Sequence, residues 1–283
     1  MLSRNWLSIE KETFTVMQWN TLAKSLCNAK SFPHAEPDAL DWKNRYPLIL
    51  QEIKTNNSDI LCLQEVDEEC FAKEFGPELK KQGYKSIFQK KPSNDNKDGC
   101  AIFYRSSRVQ LNWFETGRLT EYANQIAVLV DVTIGKREIL VVCTHLKAKP
   151  ENERIRLDQC RSLCKKIDEY KVKDVIICGD FNDVPKSAPI QLMAKNYTSV
   201  YDQYHLEPFF TTAKKRQETV IRTIDYIWTR GVEPTRILLL PMQNELVLND
   251  VGKTETGETT KSSLLPSTKY PSDHLSLCVA FRL

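Results

Sequence analysis

The stretch Lys173–Pro185, KDVIICGDFNDVP, decides the fold of this chain. Its apolar run 175–178 is typical of a β-strand that is buried on both faces. The run stops at Gly179, and Asp180 and Asn182 follow, two residues apart. Side chains at this spacing point the same way in an extended chain, so a carboxylate and an amide reach one edge of a sheet together. Open α/β folds place their chemistry at such strand ends.

The same arrangement recurs along the chain. A single acidic residue after a strand usually caps a turn, so the interpretation as chemistry depends on this recurrence. Polar residues flank several other apolar runs, and we expect them to meet at one rim of a sheet: Asn20, Glu65, His145, Asp180, Asn182, Asp225, Asp273 and His274. Hard oxygen ligands of this kind suit Mg²⁺ or Mn²⁺ rather than zinc.

Length and composition favour one reduced, mildly basic domain. The 283 residues contain no Pro/Gly/Ser-rich linker and no internal repeat, so we expect a single domain, 1–283. The net charge of +3 and the pI near 8.3 permit an anionic substrate without indicating a nucleic-acid-binding surface. The nine cysteines lie partly in apolar runs and form no C-x-x-C pair, which favours buried thiols over disulfides or zinc.

The sequence also bears on location. No apolar run approaches the roughly 18 residues of a membrane span. The first eleven residues carry charges among their apolar residues, unlike a signal peptide. We therefore expect a cytoplasmic monomer, or a mitochondrial protein if a transit peptide has been removed from a longer precursor.

A hairpin indicates the kind of sheet. The β-branched runs 126–134 and 137–143 are separated by Gly135 and Lys136, a two-residue turn. Such a hairpin requires antiparallel pairing, so a purely parallel sheet is disfavoured. Helical spacing of apolar residues is found at 38–53, 69–82 and 151–170. We therefore predict an α/β fold of two mixed sheets flanked by helices.

Seven short motifs follow one another in order: Trp19-Asn20, Leu63-Gln64-Glu65-Val66, Asp98-Gly99-Cys100-Ala101, Thr144-His145-Leu146-Lys147, Cys178-Gly179-Asp180-Phe181-Asn182, Thr223-Ile224-Asp225-Tyr226-Ile227 and Tyr270-Pro271-Ser272-Asp273-His274. Together they resemble the signatures of the endonuclease/exonuclease/phosphatase superfamily. Within it, the chain is most similar to the nocturnin family, and next to the catalytic domains of the cytoplasmic poly(A) deadenylases. The resemblance implies a four-layered α/β/β/α sandwich and metal-dependent hydrolysis of a phosphate ester.

The resemblance also implies a metal site. Glu65 is expected to be the principal Mg²⁺ ligand, with Asn20 beside it and Asp273 near the metal. Mn²⁺ is the alternative ion. The number of ions, one or two, stays open.

The catalytic residues implied by the resemblance are Asp180, Asn182, His274, Asp225 and His145. Asp180 is expected to position and deprotonate the attacking water, and Asn182 to hold the phosphate or a second metal. His274 is expected to stabilise charge on the phosphoryl oxygens, and His145 to contact the phosphate. Phosphoryl transfer needs such positioned charges more than covalent chemistry. Because adjacent residues of a strand point apart, we expect Asp225 rather than Asp273 to orient His274.

The preferred substrate is a dinucleotide. The resemblance to nocturnins implies removal of the 2′-phosphate from NADP(H), with substrate contacts at Lys91, Lys147, Lys149, Asn124 and Arg222. Lys149 replaces an arginine of that family, so bidentate recognition of a phosphate is lost there while the charge remains. Ala213 replaces a tryptophan in the family's substrate-flanking segment.

Two alternatives remain. A deadenylase would cleave single-stranded, adenine-rich RNA stepwise in the 3′ to 5′ direction and release AMP, but the sequence lacks the basic tract with interleaved aromatic residues that single-stranded RNA favours. A catalytically silent binding module of the same fold is disfavoured, because every residue that the chemistry needs is present.

Overall fold

The chain folds into four layers. The computed structural model describes Arg4, Trp6–Leu7 and residues 13–203, 210–215, 219–241, 251–253, 259–261 and 264–283. In these ranges two mixed sheets pack face to face, and helices cover the outer face of each sheet. This arrangement confirms the predicted α/β/β/α sandwich.

The first sheet contains seven strands among the described residues, numbered along the chain: β1 (Trp6–Leu7), β2 (Thr13–Asn20), β3 (Ile60–Asp67), β4 (Tyr84–Lys90), β5 (Asp98–Arg105), β14 (Pro234–Leu238) and β17 (Leu277–Arg282). Their spatial order is β1-β14-β17-β2-β3-β5-β4. β2 and β3 are parallel, and the other neighbours are antiparallel.

The second sheet contains six described strands: β6 (Val109–Arg118), β7 (Ile126–Ile134), β8 (Arg137–His145), β9 (Val175–Asp180), β10 (Thr198–Ser199) and β13 (Asp225–Arg230). Their spatial order is β10-β13-β9-β8-β7-β6, and β8 and β9 form its parallel pair. Two small hairpins lie outside the sheets: β11 (Thr212–Lys215) with β12 (Thr219–Arg222), and β15 (Val251–Lys253) with β16 (Thr259–Lys261).

The described helices are α1 (Pro37–Leu40), α2 (Trp42–Asn56), α3 (Glu68–Cys70), α4 (Gly76–Lys81), α5 (Glu153–Glu169), α6 (Ala188–Met193) and α7 (Val200–Gln203). The helix predicted at 38–53 is broken at Asp41, because that side chain accepts a hydrogen bond from Lys43 N and starts α2. A π-helical turn, Phe71–Phe75, joins α3 to α4, and a 3₁₀ turn, Pro150–Asn152, precedes α5.

Successive side chains of each strand point to opposite faces of its sheet, so the core has one layer between the sheets and one layer under the helices on each side. The inter-sheet layer is formed by residues such as Val16, Ile102, Val141, Ile176 and Val279. Neighbouring residues point to the opposite faces, where they pack against the helices. On the first sheet, Met17 and Leu61 lie in one cluster with Ile49 and Ile53 of α2. On the second sheet, Leu140 and Ile177 lie in another cluster with Leu163 and Ile167 of α5. All nine cysteines are free thiols, and eight of them are buried, as the sequence predicts.

The β7–β8 hairpin confirms the predicted turn. Gly135 has a φ of 61°, the left-handed region that a tight hairpin turn requires and that glycine adopts without strain. β8 continues beyond the predicted end at residue 143 to His145. This extension pairs His145 with Asp180 across the parallel strands.

The two parallel pairs define the functional edge. β2 ends at Asn20, β8 at His145 and β9 at Asp180, while the antiparallel β13 begins at Asp225 opposite Asp180. The carboxyl ends of β2, β8 and β9 therefore bring their last side chains to one edge of the sandwich, which we call the rim.

We predict that Gly179→Ala destabilises the protein by about 1–3 kcal/mol, the usual cost of overpacking. An added Cβ would lie 2.6 Å from the carbonyl oxygen of Thr144, in the neighbouring parallel strand. Gly117→Ala is the matched control, because nothing lies within 4 Å of its added Cβ. Urea denaturation of the three proteins measures both effects, and equal losses at the two positions would contradict the assigned packing.

Candidate active site

The structure brings all eight predicted rim residues into one connected group. Side-chain or backbone contacts of 2.8 to 3.7 Å link Asn20, Glu65, His145, Asp180, Asn182, Asp225, Asp273 and His274. The group draws on both sheets, so it exists only when the sheets are packed against each other.

Asn20 joins the two sheets. Its Nδ2 donates to Glu65 Oε1 at 3.1 Å, within the first sheet, and to Asp180 Oδ2 at 3.0 Å, in the second. Its Oδ1 accepts from Leu22 N at 3.0 Å. The amide therefore has a partner at both ends, which fixes which end faces the two carboxylates.

The backbone around this amide adopts rare conformations. Leu22, Glu65 and Asn182 have φ values of 57°, 54° and 51°. These values lie in the left-handed region, which is unfavourable for every residue type except glycine. Glu65 also lies at a bulge in the pairing of β3 with β5. Strained backbone of this kind is found preferentially at functional sites, and here it lets Glu65 turn its carboxylate towards Asn20.

Asp180 lies at the centre of the group and is fully buried. Its Oδ1 accepts from Asn182 N at 2.8 Å, and its Oδ2 lies 3.5 Å from His145 Nε2 and 3.7 Å from His274 Nε2. Burial, aided by the charge of Asp225, raises the pKa of Asp180 to about 7. A carboxylate with such a pKa can accept a proton near neutral pH.

His274 pairs with Asp225. The distance from His274 Nδ1 to Asp225 Oδ2 is 2.9 Å, and both residues are buried. Burial alone would lower the pKa of His274, but the carboxylates of Asp225, Asp273 and Asp180 outweigh burial and raise it to about 9. The pairing with Asp225 agrees with the expectation from the sequence.

The position of Asp273 differs from the sequence-based expectation that its side chain points away from His274. Residues 271–276 form no strand, so the rule that neighbouring side chains point apart does not apply, and Asp273 Oδ2 lies 3.6 Å from His274 Nε2. The same oxygen accepts from Lys214 Nζ of β11 at 2.5 Å. Sequence analysis missed Lys214, because its partner is 59 residues away.

His145 is neutral. Burial and the nearby charge of Lys91 hold its pKa well below the usual value. Asn182 Nδ2 lies 3.0 Å from His145 Nε2 and donates to Leu146 O at 3.1 Å. The carbonyl thus identifies the nitrogen end of the amide, so His145 Nε2 accepts from Asn182. In a neutral imidazole the proton would then lie on Nδ1, which is buried and has no partner among the described residues.

Two groups of side chains have metal-ligand character. Ligand atoms of Asp180, Asp225 and His274 lie within 4.8 Å of one another, but Asp225 Oδ2 and His274 Nδ1 are already bonded to each other. The carboxylate of Glu65 accepts from Asn20 Nδ2 and from Ala23 N at 3.2 Å, and within the described ranges it forms no ion pair. The Glu65 carboxylate, which shares the Asn20 amide with Asp180, therefore fits a hard divalent cation better than the group of Asp180, Asp225 and His274 does.

The residues predicted to bind substrate lie in different environments. Lys91 is buried and pairs with Asp98 Oδ2 at 2.5 Å, so its charge is already partly neutralised. Lys147 and Asn124 are half-buried, and Lys149 and Arg222 are exposed. Their roles remain predictions.

Sequence analysis did not single out Arg156, which lies in the first turn of α5. The guanidinium is buried, and Asp183 compensates its charge, because Arg156 Nε donates to Asp183 Oδ2 at 2.7 Å. Its Nη1 donates to the carbonyl oxygens of both Lys147, at 2.9 Å, and Lys149, at 2.6 Å. Arg156 therefore fixes the loop that carries two of the predicted substrate-binding lysines.

Comparison with known proteins gives the family. The Endonuclease/Exonuclease/phosphatase family model matches residues 17–274. The chain belongs to this family. Nocturnin from Xenopus laevis is 35% identical over 312 residues, which cover 99% of this chain and 77% of that protein. Human nocturnin is 34% identical over 94% of this chain, which spans 64% of the human protein.

Solved structures agree. The human nocturnin catalytic domain with bound sulfate superposes with a TM-score of 0.76 at 30% identity, covering 98% of this chain and 97% of that domain. ANGEL2, described as a 2′,3′-cyclic phosphatase, superposes with a TM-score of 0.87 at 24% identity over 100% of this chain and 99% of its own, and shows the common fold. The chain is thus a phosphoric ester hydrolase of a family that depends on divalent metal ions.

A further finding concerns membranes. No helix within the described ranges is long and apolar enough to cross a bilayer.

We predict that Glu65→Gly and Glu65→Ala both lose turnover, and that the glycine variant is the more stable by about 1 kcal/mol. Glycine relieves the left-handed strain, whereas alanine keeps it. Asn57, with a φ of 48° at the end of α2, is the matched control. Asn57→Gly and Asn57→Ala are expected to show the same order of melting temperatures while retaining turnover. Turnover in either Glu65 variant would contradict the assigned metal ligand.

Proposed function

We propose that this protein removes the 2′-phosphate from NADP(H), giving NAD(H) and inorganic phosphate, with Mg²⁺ as its ion. The observation that carries the proposal is the buried group of Asp180, His274 and His145, which lies within electrostatic range of the cationic side chains of Lys91 and Lys214. The similarity to nocturnins over nearly the whole chain supports it.

Glu65 would be the principal ligand of the ion, with Asp273 as a second carboxylate. Asn20, predicted from the sequence as a ligand, presents its Nδ2 donor to Glu65, so in this geometry it would orient that carboxylate rather than bind the ion. When bound, a divalent ion neutralises charge on the phosphoryl oxygens and lowers the pKa of bound water. Mn²⁺ has the same preference for oxygen ligands and is expected to substitute for Mg²⁺.

The protein's own groups carry out the remaining steps. Asp180 orients the attacking water and takes its proton, for which a pKa of about 7 is suited. The water oxygen bonds to phosphorus as the bond from phosphorus to the 2′-oxygen breaks. The 2′-oxygen takes a proton from solvent to become a hydroxyl, and Asp180 returns its proton to solvent. His274, protonated at neutral pH because its pKa is raised, donates to the phosphoryl oxygens, and Asn182 and His145 hold the phosphate.

Charge around the site suits a compact phosphate monoester. Lys91 influences the pKa of His145, and its own raised pKa is partly due to Glu65, so the lysine lies within electrostatic range of the site. Lys147 lies two residues beyond His145, and none of the described residues pairs with its ammonium group. Point charges of this kind bind a doubly charged phosphate without the fork geometry of arginine.

A poly(A) substrate would need stacking surfaces, which supply roughly 1–3 kcal/mol per base in single-strand binders. The aromatic residues next to the rim residues in sequence are all buried: Trp19, Phe181, Tyr226 and Tyr270. The site therefore supports the dinucleotide better than a long single strand.

The deadenylase remains the second candidate because of Tyr122. This residue is 65% exposed in the loop before β7, close to the predicted contact residue Asn124 in sequence. Its hydroxyl donates to Asp158 Oδ2 at 3.0 Å, which steadies the ring as a surface for stacking.

We predict that the purified, Mg²⁺-loaded protein releases phosphate from NADPH much faster than AMP from an oligoadenylate. Both rates are measured on one preparation, and an adenosine 2′,3′-cyclic phosphate is included as a third substrate. Asp180→Asn serves as the control for contaminating enzymes, since it removes the proposed base. AMP release that disappears in this variant, with NADPH left intact, would establish the deadenylase, and no turnover of any substrate would favour a silent binding module.

We predict that Lys147→Ala raises KM for NADPH about tenfold with a smaller effect on kcat, because the charge is lost from binding rather than from the reacting group. Lys136→Ala, in the exposed β7–β8 turn at the opposite end of β8, is the matched control and should leave both constants unchanged. Steady-state kinetics of the two variants decide the point, and equal effects would remove Lys147 from the substrate site.

A further inference from the structure

Gln18 contacts the partner of His274 from beneath the site. It lies in β2, two residues before Asn20, and its side chain is fully buried. Its Nε2 donates to Asp225 Oδ1 at 3.2 Å and to Gln64 Oε1 at 2.8 Å. Asp225 Oδ2 pairs with His274 Nδ1. The Asp225 carboxylate is thus held at one oxygen by Gln18 and at the other by His274.

The orientation of the Gln18 amide is determined by its neighbours. Both atoms that its nitrogen contacts are oxygen acceptors, so a flipped amide would place oxygen against oxygen. Gln64 is fixed in turn, because its Nε2 donates to Cys62 O and Cys143 Sγ, each at 3.2 Å. A chain of contacts therefore runs from His274 through Asp225 and Gln18 to Gln64.

This orientation leaves one atom unsatisfied. Gln18 Oε1 is buried and has no hydrogen-bond partner among the described residues. A buried carbonyl without a partner destabilises a fold, and an apolar residue of the same shape would avoid that cost. Packing alone does not account for a glutamine here, whereas a donor held against Asp225 does.

We propose that Gln18 is a positioning residue for hydrolysis. By holding Asp225 Oδ1, it turns Oδ2 towards His274 Nδ1 and so directs His274 Nε2 towards Asp180, 3.7 Å away. The inference rests on the proposed role of His274, and Gln64 supports Gln18 without touching Asp225. A positioning residue acts on the reacting group, so its loss lowers kcat and leaves substrate affinity unchanged.

The test is Gln18→Met, which keeps the length of the side chain and removes both the donor and the unsatisfied oxygen. We expect kcat to fall about tenfold with KM within about twofold of wild type. Tyr84→Phe is the control for loss of a buried hydrogen bond, since its hydroxyl donates to Ser58 O, two residues before β3 begins and at the end of that strand away from the rim. It should lower the melting temperature and leave kcat unchanged.

A double-mutant cycle shows whether Gln18 acts through Asp225. Asp225→Asn alone should lower kcat strongly, and adding Gln18→Met to it should change kcat by less than about twofold, because Asp225 no longer presents a carboxylate. A full, additive loss in the double variant would overturn the proposal. So would unchanged kcat in a folded Gln18→Met protein.

Folding and substrate identity are controlled separately. If Gln18→Met does not fold, Gln18→Met/Gln64→Met replaces both amides by apolar groups and is tested in its place. The cycle uses NADPH, or, if the wild-type protein does not hydrolyse it, whichever of oligoadenylate and the adenosine 2′,3′-cyclic phosphate it does hydrolyse, so failure of the proposed substrate leaves the role of Gln18 testable. A wild-type protein that hydrolyses none of the three would overturn both proposals.

Discussion

The side-chain amide of Asn20 is the contact on which the site depends. One nitrogen binds Glu65 in the first sheet and Asp180 in the second, so the distance between the two carboxylates is set by how the sheets pack. That packing is fixed by the apolar layer between the sheets, where residues such as Val16, Val141 and Ile176 are fully buried. The hydrophobic core therefore positions the polar rim, although no core residue takes part in the chemistry.

The rim contains several features that destabilise the folded state. Asp180 is buried with a raised pKa, Glu65 and Asn182 have left-handed backbones, and Gln18 keeps an unsatisfied oxygen. Each feature destabilises the folded state, and the surrounding core offsets the loss. Proteins keep such features where chemistry needs a group that is held ready to react.

Cationic residues illustrate what a motif leaves undecided. Lys91 and Arg156 are both charged, but the structure buries Lys91 against Asp98 and Arg156 against Asp183. Arg156 also binds the backbone carbonyls of Lys147 and Lys149, so it shapes the loop that presents those lysines. The family similarity establishes the hydrolase class, while the proposed substrate rests on how these charges are arranged.

The sequence by itself determined the layered architecture and the eight rim residues, because strand runs, the Gly135 turn and the residues at strand ends are local patterns. It also indicated the pairing of Asp225 with His274. Only the tertiary structure decided the contacts of Asp273 with His274 and Lys214. It also decided the hydrogen bond from Gln18 to Asp225 and the burial of Arg156. Gln18 and Asp225 are 207 residues apart, and Lys214 and Asp273 are 59. Side chains so far apart meet only after the two sheets and their loops have packed, so local patterns do not contain their contacts.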